Sequence, residues 1–161
     1  MVKRIALVFC LLAVLSSVAV AQTSQTSAHA SMTTGNGAQE KKTLYARLGG
    51  YDAIAAVVDD FIMRLATDKR FEKFFTGFSN DSKKKLRQHI LDQFCAATGG
   101  PCIYTGREMK TSHGGLGITN ADWDAAAKHL AASLDKFKVP EKEKGEVLAF
   151  VTTLKKDIVE K

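Results

Sequence analysis

Apolar residues recur at the spacing of an α-helix over most of residues 43–161, and this feature constrains the fold more than any other. One stripe of large apolar side chains predicts a helix over about 51–67 and comprises Ile54, Val57, Val58, Phe61 and Leu65. No stretch shows the sustained alternation of apolar and polar residues that is typical of a half-buried β-strand. The sequence therefore predicts an all-α domain.

Turn and capping residues divide this domain into five helical segments. Before helix 51–67, a short helix at Leu44 and Leu48 stops at Gly49-Gly50. After it, a helix with the stripe Leu86, Ile90, Phe94 and Ala97 must end at Gly99-Gly100-Pro101, because two glycines and a proline cannot continue it. The candidate N-caps of that helix are Asn80, Asp81 and Ser82.

Two further helices complete the predicted domain. Thr119, with Asp122 three residues later, forms a capping-box pattern at the start of a helix that runs to Val139. Pro140 begins the last helix, where its missing N–H costs nothing. The stripe of the first is Trp123, Ala127, Leu130, Leu134 and Phe137, and that of the second is Val147, Val151, Leu154 and Ile158.

The first 42 residues differ in composition from the domain. Lys3 and Arg4 precede an apolar run that closes on Ala19-Val20-Ala21, so residues 1–21 are predicted to be a secretory signal peptide; an uncleaved anchor is the alternative. Residues 22–42 are rich in Ser, Thr, Gln and Gly and predict a disordered linker before one domain over 43–161. The protein is expected to be exported, periplasmic or secreted, without stable membrane insertion after cleavage.

Charge and cysteine content narrow the function classes. The formal net charge is +6, but lysines alternate with glutamates at 141–144 and few aromatics look exposed, so nucleic-acid binding is not expected. Cys95, on a helix, and Cys102, in the loop after it, would meet oxidising conditions after export, where a disulfide is chemically allowed. The sequence leaves a bridge and two separate thiols equally open, and it does not support a zinc site.

The segment 102–118 is too long for an idle connector, and it carries a single histidine, His113, flanked by glycines. Met109 lies four residues earlier, on the same face of a helical turn. Tyr104 and Arg107 offer a phenol and a guanidinium that suit carboxylates. Because large apolar side chains follow, the segment has the side-chain inventory of a haem pocket.

A second histidine, His89, lies at the edge of the apolar face of the preceding helix. Two interpretations remain open for it. It is either a half-exposed surface imidazole, or a ligand or hydrogen-bond donor on the other side of a flat metal cofactor. His129 looks solvated and is assigned no role.

The domain resembles the truncated haemoglobins, short globins with a two-over-two helical sandwich, and among them the cyanobacterial and protozoan type. The matching segments, in family order, are TLYARLGG at 43–50, DDF at 59–61, Arg64, Asp68, FF at 74–75, GGP at 99–101, Y-x-G-R-x-M at 104–109, His113, and I-T at 118–119 with Trp123. The glycine pairs and the Tyr-Gly-Arg-Met-His series make this signal specific. The resemblance implies a two-over-two globin fold and the cofactor haem b, iron protoporphyrin IX.

The resemblance also implies roles for individual residues. His113 matches the proximal histidine, which bonds the iron through one ring nitrogen, and Phe75 matches a phenylalanine that packs against the ring. Tyr104 and Arg107 match positions near the haem propionates. The positions that line the family's pocket are occupied by Phe61, Leu86, Met109, Leu116, Ile118 and Trp123.

The distal side departs from the common family pattern. Phe61-Ile62 stands where many relatives have Phe-Tyr, so the phenol that usually bonds bound oxygen is absent. Leu86 and Ile90 stand where glutamines are common. His89 falls where some cyanobacterial relatives carry a histidine that coordinates the sixth site of the iron. We therefore expect His89 to act as a distal ligand or donor, with a reversible bis-histidine resting state.

These features lead to one expected function and two alternatives. The chain is expected to be a haem globin that binds diatomic gases, oxygen or nitric oxide, and nitric oxide dioxygenase activity with an unknown reductase is one open outcome. The first alternative is an extracytoplasmic haem protein for electron transfer or weak peroxidase activity. The second is a helical binding module without a cofactor.

Overall fold

The computed structural model describes residues 42–161 of the chain. The predicted signal peptide and all but the last residue of the predicted linker lie outside the described residues. Within residues 42–161, every regular element is an α-helix, as the apolar periodicity predicts. None of the helices in this range is both long and apolar enough to cross a bilayer.

The helices of the described region are more numerous than the five predicted segments. Their bounds are α1 Leu44–Arg47, α2 Gly50–Thr67, α3 Glu72–Phe75, α4 Asn80–Ala97, α5 Met109–His113, α6 Asn120–Lys136, α7 Glu141–Thr153 and α8 Lys155–Ile158. Of the added helices, α3 is a single turn inside a segment predicted as a connection, and α5 is the short helical turn expected within the loop-rich segment 102–118. The third arises because the predicted last helix is divided into α7 and α8.

The N-cap of α4 lies one residue before the first of the candidate N-caps. Ser79 is the N-cap, and its side chain accepts a hydrogen bond from the backbone N–H of Ser82 at 3.1 Å. The most deeply buried residues of the helix are Leu91 and Cys95, each one position after a residue of the predicted stripe. The predicted stripe is therefore rotated away from the centre of the core, which leaves Leu86 and Ile90 free to line the site described below.

The predicted capping box of α6 is confirmed, but the helix ends at Lys136 rather than Val139. Lys138 has a φ of +55°, in the left-handed region, and the N–H of Val139 donates to the carbonyl of Leu134 at 3.0 Å. This is the Schellman arrangement that ends many helices. Val139 packs on the core of Leu130, Leu134 and Val147 from outside the helix, so its apolar character does not extend α6.

The last predicted helix differs from the structure at both its start and its middle. Pro140 is the N-cap of α7 rather than its first residue. At Leu154 the chain makes two tight i,i+3 bonds, from Leu154 N to Val151 O at 2.9 Å and from Asp157 N to Leu154 O at 3.0 Å. Such 3₁₀-type bonds divide the helix, and they let α8 turn toward the site.

Two helix pairs form the fold. Helix α2 packs against α4 and α6, and α6 packs against α7. One core cluster consists of Ile54, Val58 and Leu91, between α2 and α4, and the other of Leu130, Leu134 and Val147, between α6 and α7. The rings of Phe94 and Phe150 meet edge to face at 6.0 Å between centroids and connect α4 with α7. The two-over-two helical arrangement is thus confirmed.

Candidate functional site

A cavity of about 420 Å³ is lined by residues from every helix between α2 and α8. This volume lies within the range of about 300 to 1,000 Å³ that is usual for small-molecule sites. Each residue assigned to the site from sequence lines this cavity: Phe61, Phe75, Leu86, His89, Ile90, Tyr104, Arg107, Met109, His113, Leu116, Ile118 and Trp123. The fold therefore brings together side chains that lie between residues 61 and 123 of the sequence.

His113, at the C-terminal end of α5, is held by its own helix. Its Nδ1 lies 2.9 Å from the carbonyl oxygen of Met109, four residues earlier. A carbonyl can only accept a hydrogen bond, so Nδ1 carries the proton, and in a neutral ring Nε2 then has the free lone pair. Metal-ligating histidines commonly donate their other ring N–H to a backbone carbonyl in this way.

His89 also lines the cavity, in a half-buried position. Its Nδ1 is buried, and no residue within 42–161 hydrogen-bonds to it. Its ring meets that of Tyr104 edge to face, with 6.2 Å between centroids. A buried nitrogen without a partner is costly in a native protein. His89 therefore adds an imidazole to the cavity wall, with its Nδ1 enclosed by the protein.

Tyr104 is fixed in the loop between α4 and α5. Its hydroxyl donates to the carbonyl of Arg107 at 2.7 Å, and burial raises the pKa of the phenol, so it stays neutral. A Cβ on Gly106 would lie 2.3 Å from the Tyr104 hydroxyl oxygen, so the ring folds over a position that only glycine can fill. This close approach explains the Tyr-x-Gly spacing. The side chain of Arg107 reaches the cavity from an exposed position.

Cys95 and Cys102 form a disulfide with 5.7 Å between their Cα atoms, which resolves the alternative left open by the sequence. Cys95 is fully buried near the end of α4, six residues after His89. Cys102 stands two residues before Tyr104. The bridge therefore ties the loop of Tyr104 to the helix of His89, on one side of the cavity.

Sequence reasoning missed a large part of the cavity wall. The missed apolar residues are Leu65, Phe71, Phe74, Phe78, Phe94, Ala126, Ala127, Leu130, Val151, Leu154 and Ile158, and the missed polar ones are Gln93, Ser112 and Asp122. The Phe-rich stretch 71–78 and the stripe of the last helix were visible signals. These signals do not identify a cavity wall, because periodicity identifies an apolar face without showing what the face covers.

The surroundings of three residues, Ile62, Gln93 and His129, could not be predicted from the sequence. Ile62 does not line the cavity, because it packs on the cluster of Ile54, Val58 and Leu91. Gln93, one turn after His89, does line it and adds an amide to that side. His129 is not simply solvated, since its Nε2 lies 2.9 Å from an Asp68 carboxylate oxygen and its ring contacts Phe71.

Asp122 contributes a carboxylate at the cavity wall, but that carboxylate serves the helix cap. It accepts hydrogen bonds from the backbone N–H of Thr119 at 3.1 Å and from its hydroxyl at 2.8 Å. These bonds hold the pKa of Asp122 below its ordinary value, the backbone bond having the larger effect. Within residues 42–161, no cluster of three or more His, Cys, Asp or Glu side chains forms a separate metal site.

These residues fit an iron porphyrin. The only ring nitrogen of His113 with a free lone pair is Nε2, and the imidazole of His89 lines the same cavity. Aromatic and aliphatic side chains make up most of the wall, and the exposed Arg107 offers a cation to carboxylates at the rim. A flat apolar cofactor with a metal centre and acidic edges would satisfy each of these groups.

Comparison with known proteins agrees with this geometry. The family described as bacterial-like globin matches residues 43–160. The chain is 38% identical over 119 residues to the group 1 truncated haemoglobin GlbN of Mycolicibacterium paratuberculosis, covering 74% of this chain and 85% of the relative. It is 34% identical over 119 residues to the corresponding protein of Nostoc sp., covering 74% and 98%.

Solved structures extend the comparison to the fold. The truncated haemoglobin of Tetrahymena pyriformis in its Fe(III) form gives a TM-score of 0.67 at 29% identity, covering 74% of this chain and 100% of that one. The 2/2 haemoglobin of Synechococcus sp. PCC 7002, solved in the cyanomet state with covalently attached haem, gives 0.67 at 28% identity and the same coverage. The chain belongs to the truncated haemoglobins, within the bacterial-like globin family.

Proposed function

We propose that this truncated globin binds haem b with His113 as the proximal iron ligand and takes up diatomic gases, oxygen or nitric oxide, on the opposite side. The observation that carries the proposal is the bond from His113 Nδ1 to the Met109 carbonyl, at 2.9 Å, because it leaves Nε2 as a neutral donor for a metal. When bound, the iron would supply a coordination site for a diatomic gas and a one-electron redox couple.

The chain's own residues would hold the cofactor and keep water away from it. Phe61, Phe75 and Trp123 belong to the apolar wall, which would contact the faces and edges of the ring. Arg107 would pair with a carboxylate at the exposed rim. Tyr104 would act as part of the wall on the side of His89, since its hydroxyl proton is already engaged with the Arg107 carbonyl.

His89 would compete with the gas for the sixth coordination site. Its place in the cavity wall supports a direct role toward the cofactor. If its imidazole occupies the site in the resting protein, the apparent affinity for a gas equals the intrinsic affinity multiplied by the fraction of protein in the open state. Gln93 is the remaining amide donor on the same helix within reach of the cavity.

Absorption spectra of the ferric and ferrous protein, with and without carbon monoxide, test this function. We expect a Soret band and a low-spin, six-coordinate spectrum in the resting protein. His89→Leu should convert that spectrum to a five-coordinate or water-bound one. His129→Gln, which replaces a histidine that contacts Asp68 outside the cavity, is the control. A colourless protein after reconstitution with haemin would refute the proposal, and an unchanged spectrum in His89→Leu would refute the role of His89.

The same pair of imidazoles favours a second candidate function, electron transfer or weak peroxidase activity. Iron with two nitrogen ligands changes its coordination little between redox states, which favours electron exchange. Nitric oxide dioxygenase turnover and electron transfer would each require an external reductase or redox partner. Rapid formation of nitrate from the oxygenated protein and nitric oxide would favour the dioxygenase. Absence of nitrate, with fast electron exchange, would favour the redox function.

We also propose that the protein works outside the cytoplasm. The proposal is supported by the signal-peptide pattern of residues 1–21, and by the Cys95–Cys102 disulfide, because such bonds persist mainly in oxidising compartments. The N-terminal sequence of the mature protein, recovered from a periplasmic or culture fraction, tests it. A mature protein that retains residues 1–21 would contradict cleavage.

A further inference from the structure

Glu160 contacts the loop that follows His113. One of its carboxylate oxygens accepts a hydrogen bond from the backbone N–H of Gly115 at 2.5 Å, and the other from that of Gly117 at 3.1 Å. Glu160 and these glycines are more than 40 residues apart in the sequence. The carboxylate therefore closes a tertiary contact between the residues that follow α8 and the segment after α5.

The loop has a backbone shape that suits a carboxylate. Gly115 and Gly117 both have positive φ values, +83° and +65°, in the region that favours glycine. Backbone N–H groups that converge in such turns form anion-binding concavities. Leu116, between the two glycines, lines the cavity, so the same turn that binds the carboxylate also positions a wall residue.

The loop is connected directly to the proximal histidine. The N–H of Leu116 donates to the carbonyl of His113 at 3.2 Å, and Gly114 N donates to Lys110 O at 2.9 Å, which ends α5. Helix α5 has only five residues, so it has little stability of its own. The orientation of His113 therefore depends on what holds the residues on either side of this short helix.

A second set of bonds fixes Glu160 opposite the loop. Glu160 N donates to Ile118 O at 2.9 Å, and Asn120 N donates to Lys161 O at 3.0 Å. Ile158, two residues before Glu160, lines the cavity. Residues 158–161 thus contribute a cavity wall at one position and the carboxylate at another.

We propose that Glu160 is a positioning residue for His113: by binding both loop amides, it fixes the short α5 helix and with it the imidazole that would hold the iron. The inference rests on the proposed haem function and adds to it a residue outside the cavity. Glu160 touches neither the cofactor nor the gas; it acts through the turn at 114–117. Loss of this contact should loosen the cofactor without unfolding the helical pairs, which share no residue with it.

Glu160→Gln and Glu160→Ala test the inference in the haem-loaded, carbon monoxide-bound protein. Glutamine keeps one acceptor oxygen and loses the charge, whereas alanine loses both bonds. Glu141→Gln is the matched control, because the Glu141 side chain is 86% exposed on the first turn of α7. Hydrogen–deuterium exchange of residues 113–118 reports on the loop, and the rate of haem transfer to an excess of a haem-scavenging apoprotein reports on His113. The iron–imidazole stretching band of the ferrous protein, in a His89→Leu background, reports on the ring itself.

We expect hydrogen exchange of the loop to be about tenfold faster in Glu160→Ala. Haem loss should be about threefold faster in the glutamine variant and about tenfold faster in the alanine variant, because they lose one or two bonds to a charged acceptor at an exposed site. The stretching band should shift in both. Unchanged haem loss and an unchanged band, even with faster loop exchange, would show that the contact is only structural and overturn the inference. A wild-type protein that takes up no haem would overturn the proposed function as well, so the two failures are distinguishable.

Discussion

At the residue scale, Asp60 of α2 accepts three hydrogen bonds, and two of them join it to α6. Its carboxylate accepts from Lys136 Nζ at 2.5 Å, from Arg64 Nε at 2.6 Å and from Ser133 Oγ at 2.8 Å. The side chain is only 11% exposed. The bond from Lys136, followed by that from Arg64, holds the pKa of Asp60 far below its ordinary value. A single carboxylate therefore connects α2 to α6 as an ion.

Asp60→Asn should make the free energy of unfolding less dependent on pH. Because the folded-state pKa is lowered, the stability from this ion is complete above the unfolded pKa of about 3.9 and fades as the pH falls below it. We expect the variant to be less stable by about 1 to 3 kcal/mol at pH 7, and the difference to shrink toward pH 3. Urea unfolding between pH 7 and 3 measures both.

Asp81→Asn, at a side chain that is 85% exposed, is the control for the Asp60 experiment and should follow the wild type at each pH. A deficit in Asp60→Asn that stays constant down to pH 3 would contradict the assignment. It would show that the cost comes from altered packing at Ser133 and Arg64, and not from the charge of residue 60.

Whether a residue's role could be predicted depends on how close in sequence its partners lie. His113, Met109 and Tyr104 could be predicted because they lie within one loop-rich segment and match a family pattern. Glu160 and Asp60 could not, since the partners of Glu160 are more than 40 residues distant and those of Asp60 include residues 133 and 136. Gln93 was overlooked because an amide on a helix is ordinarily a surface residue.

At the scale of elements, the start of α6 could be predicted more closely than its end. Thr119 and Asp122 predict the start of α6, because their side chains form a capping box whose pattern can be recognised in the sequence. The end of the same helix depends on a lysine in the left-handed region, Lys138, a conformation that its residue type does not indicate. The division of α7 from α8 could not be predicted either, because tertiary packing against the cavity, and not the local residue type, decides where that helix bends.

The Cys95–Cys102 bridge gives an element-scale prediction. It closes a loop with a sequence separation of seven, so reduction should lower the free energy of unfolding by about 2 kcal/mol through the entropy of the unfolded chain. The added motion should be confined to residues 102–108, where hydrogen exchange should rise. Chemical unfolding with and without a phosphine reductant measures the first, and mass-resolved exchange the second.

Cys102→Ser is the control for the reduction experiment, because it lacks the bridge and its stability should not respond to reductant. The wild type in reductant should then resemble the variant without it. Equal stability of oxidised and fully reduced wild type, with reduction verified by mass, would contradict the prediction. In that case the turn at Gly99-Gly100, with its bond from Gly100 N to Cys95 O, would hold the loop by itself.

At the scale of the whole molecule, the fold leaves a mostly apolar cavity unfilled by its own side chains. The cavity of about 420 Å³ takes its wall from both helix pairs and from three short helices. Packed protein interiors leave few voids larger than a water molecule. The two-over-two sandwich is therefore completed by a cofactor, and its stability belongs to the complex of chain and haem.

This dependence predicts a difference in melting between the apo and haem-bound protein. A ligand that binds only the folded state, at a free concentration of 1,000 times its dissociation constant, adds about 4 kcal/mol of stability. The haem-bound wild type should accordingly melt well above its apo form. His113→Ala should melt like wild type when both are apo, since the ring bonds only to the Met109 carbonyl within its own helix, and it should gain much less from haem. Calorimetry of these four samples separates iron ligation from apolar contact. A full haem-induced shift in His113→Ala would mean that the walls alone account for the stabilisation, and that another group ligates the iron.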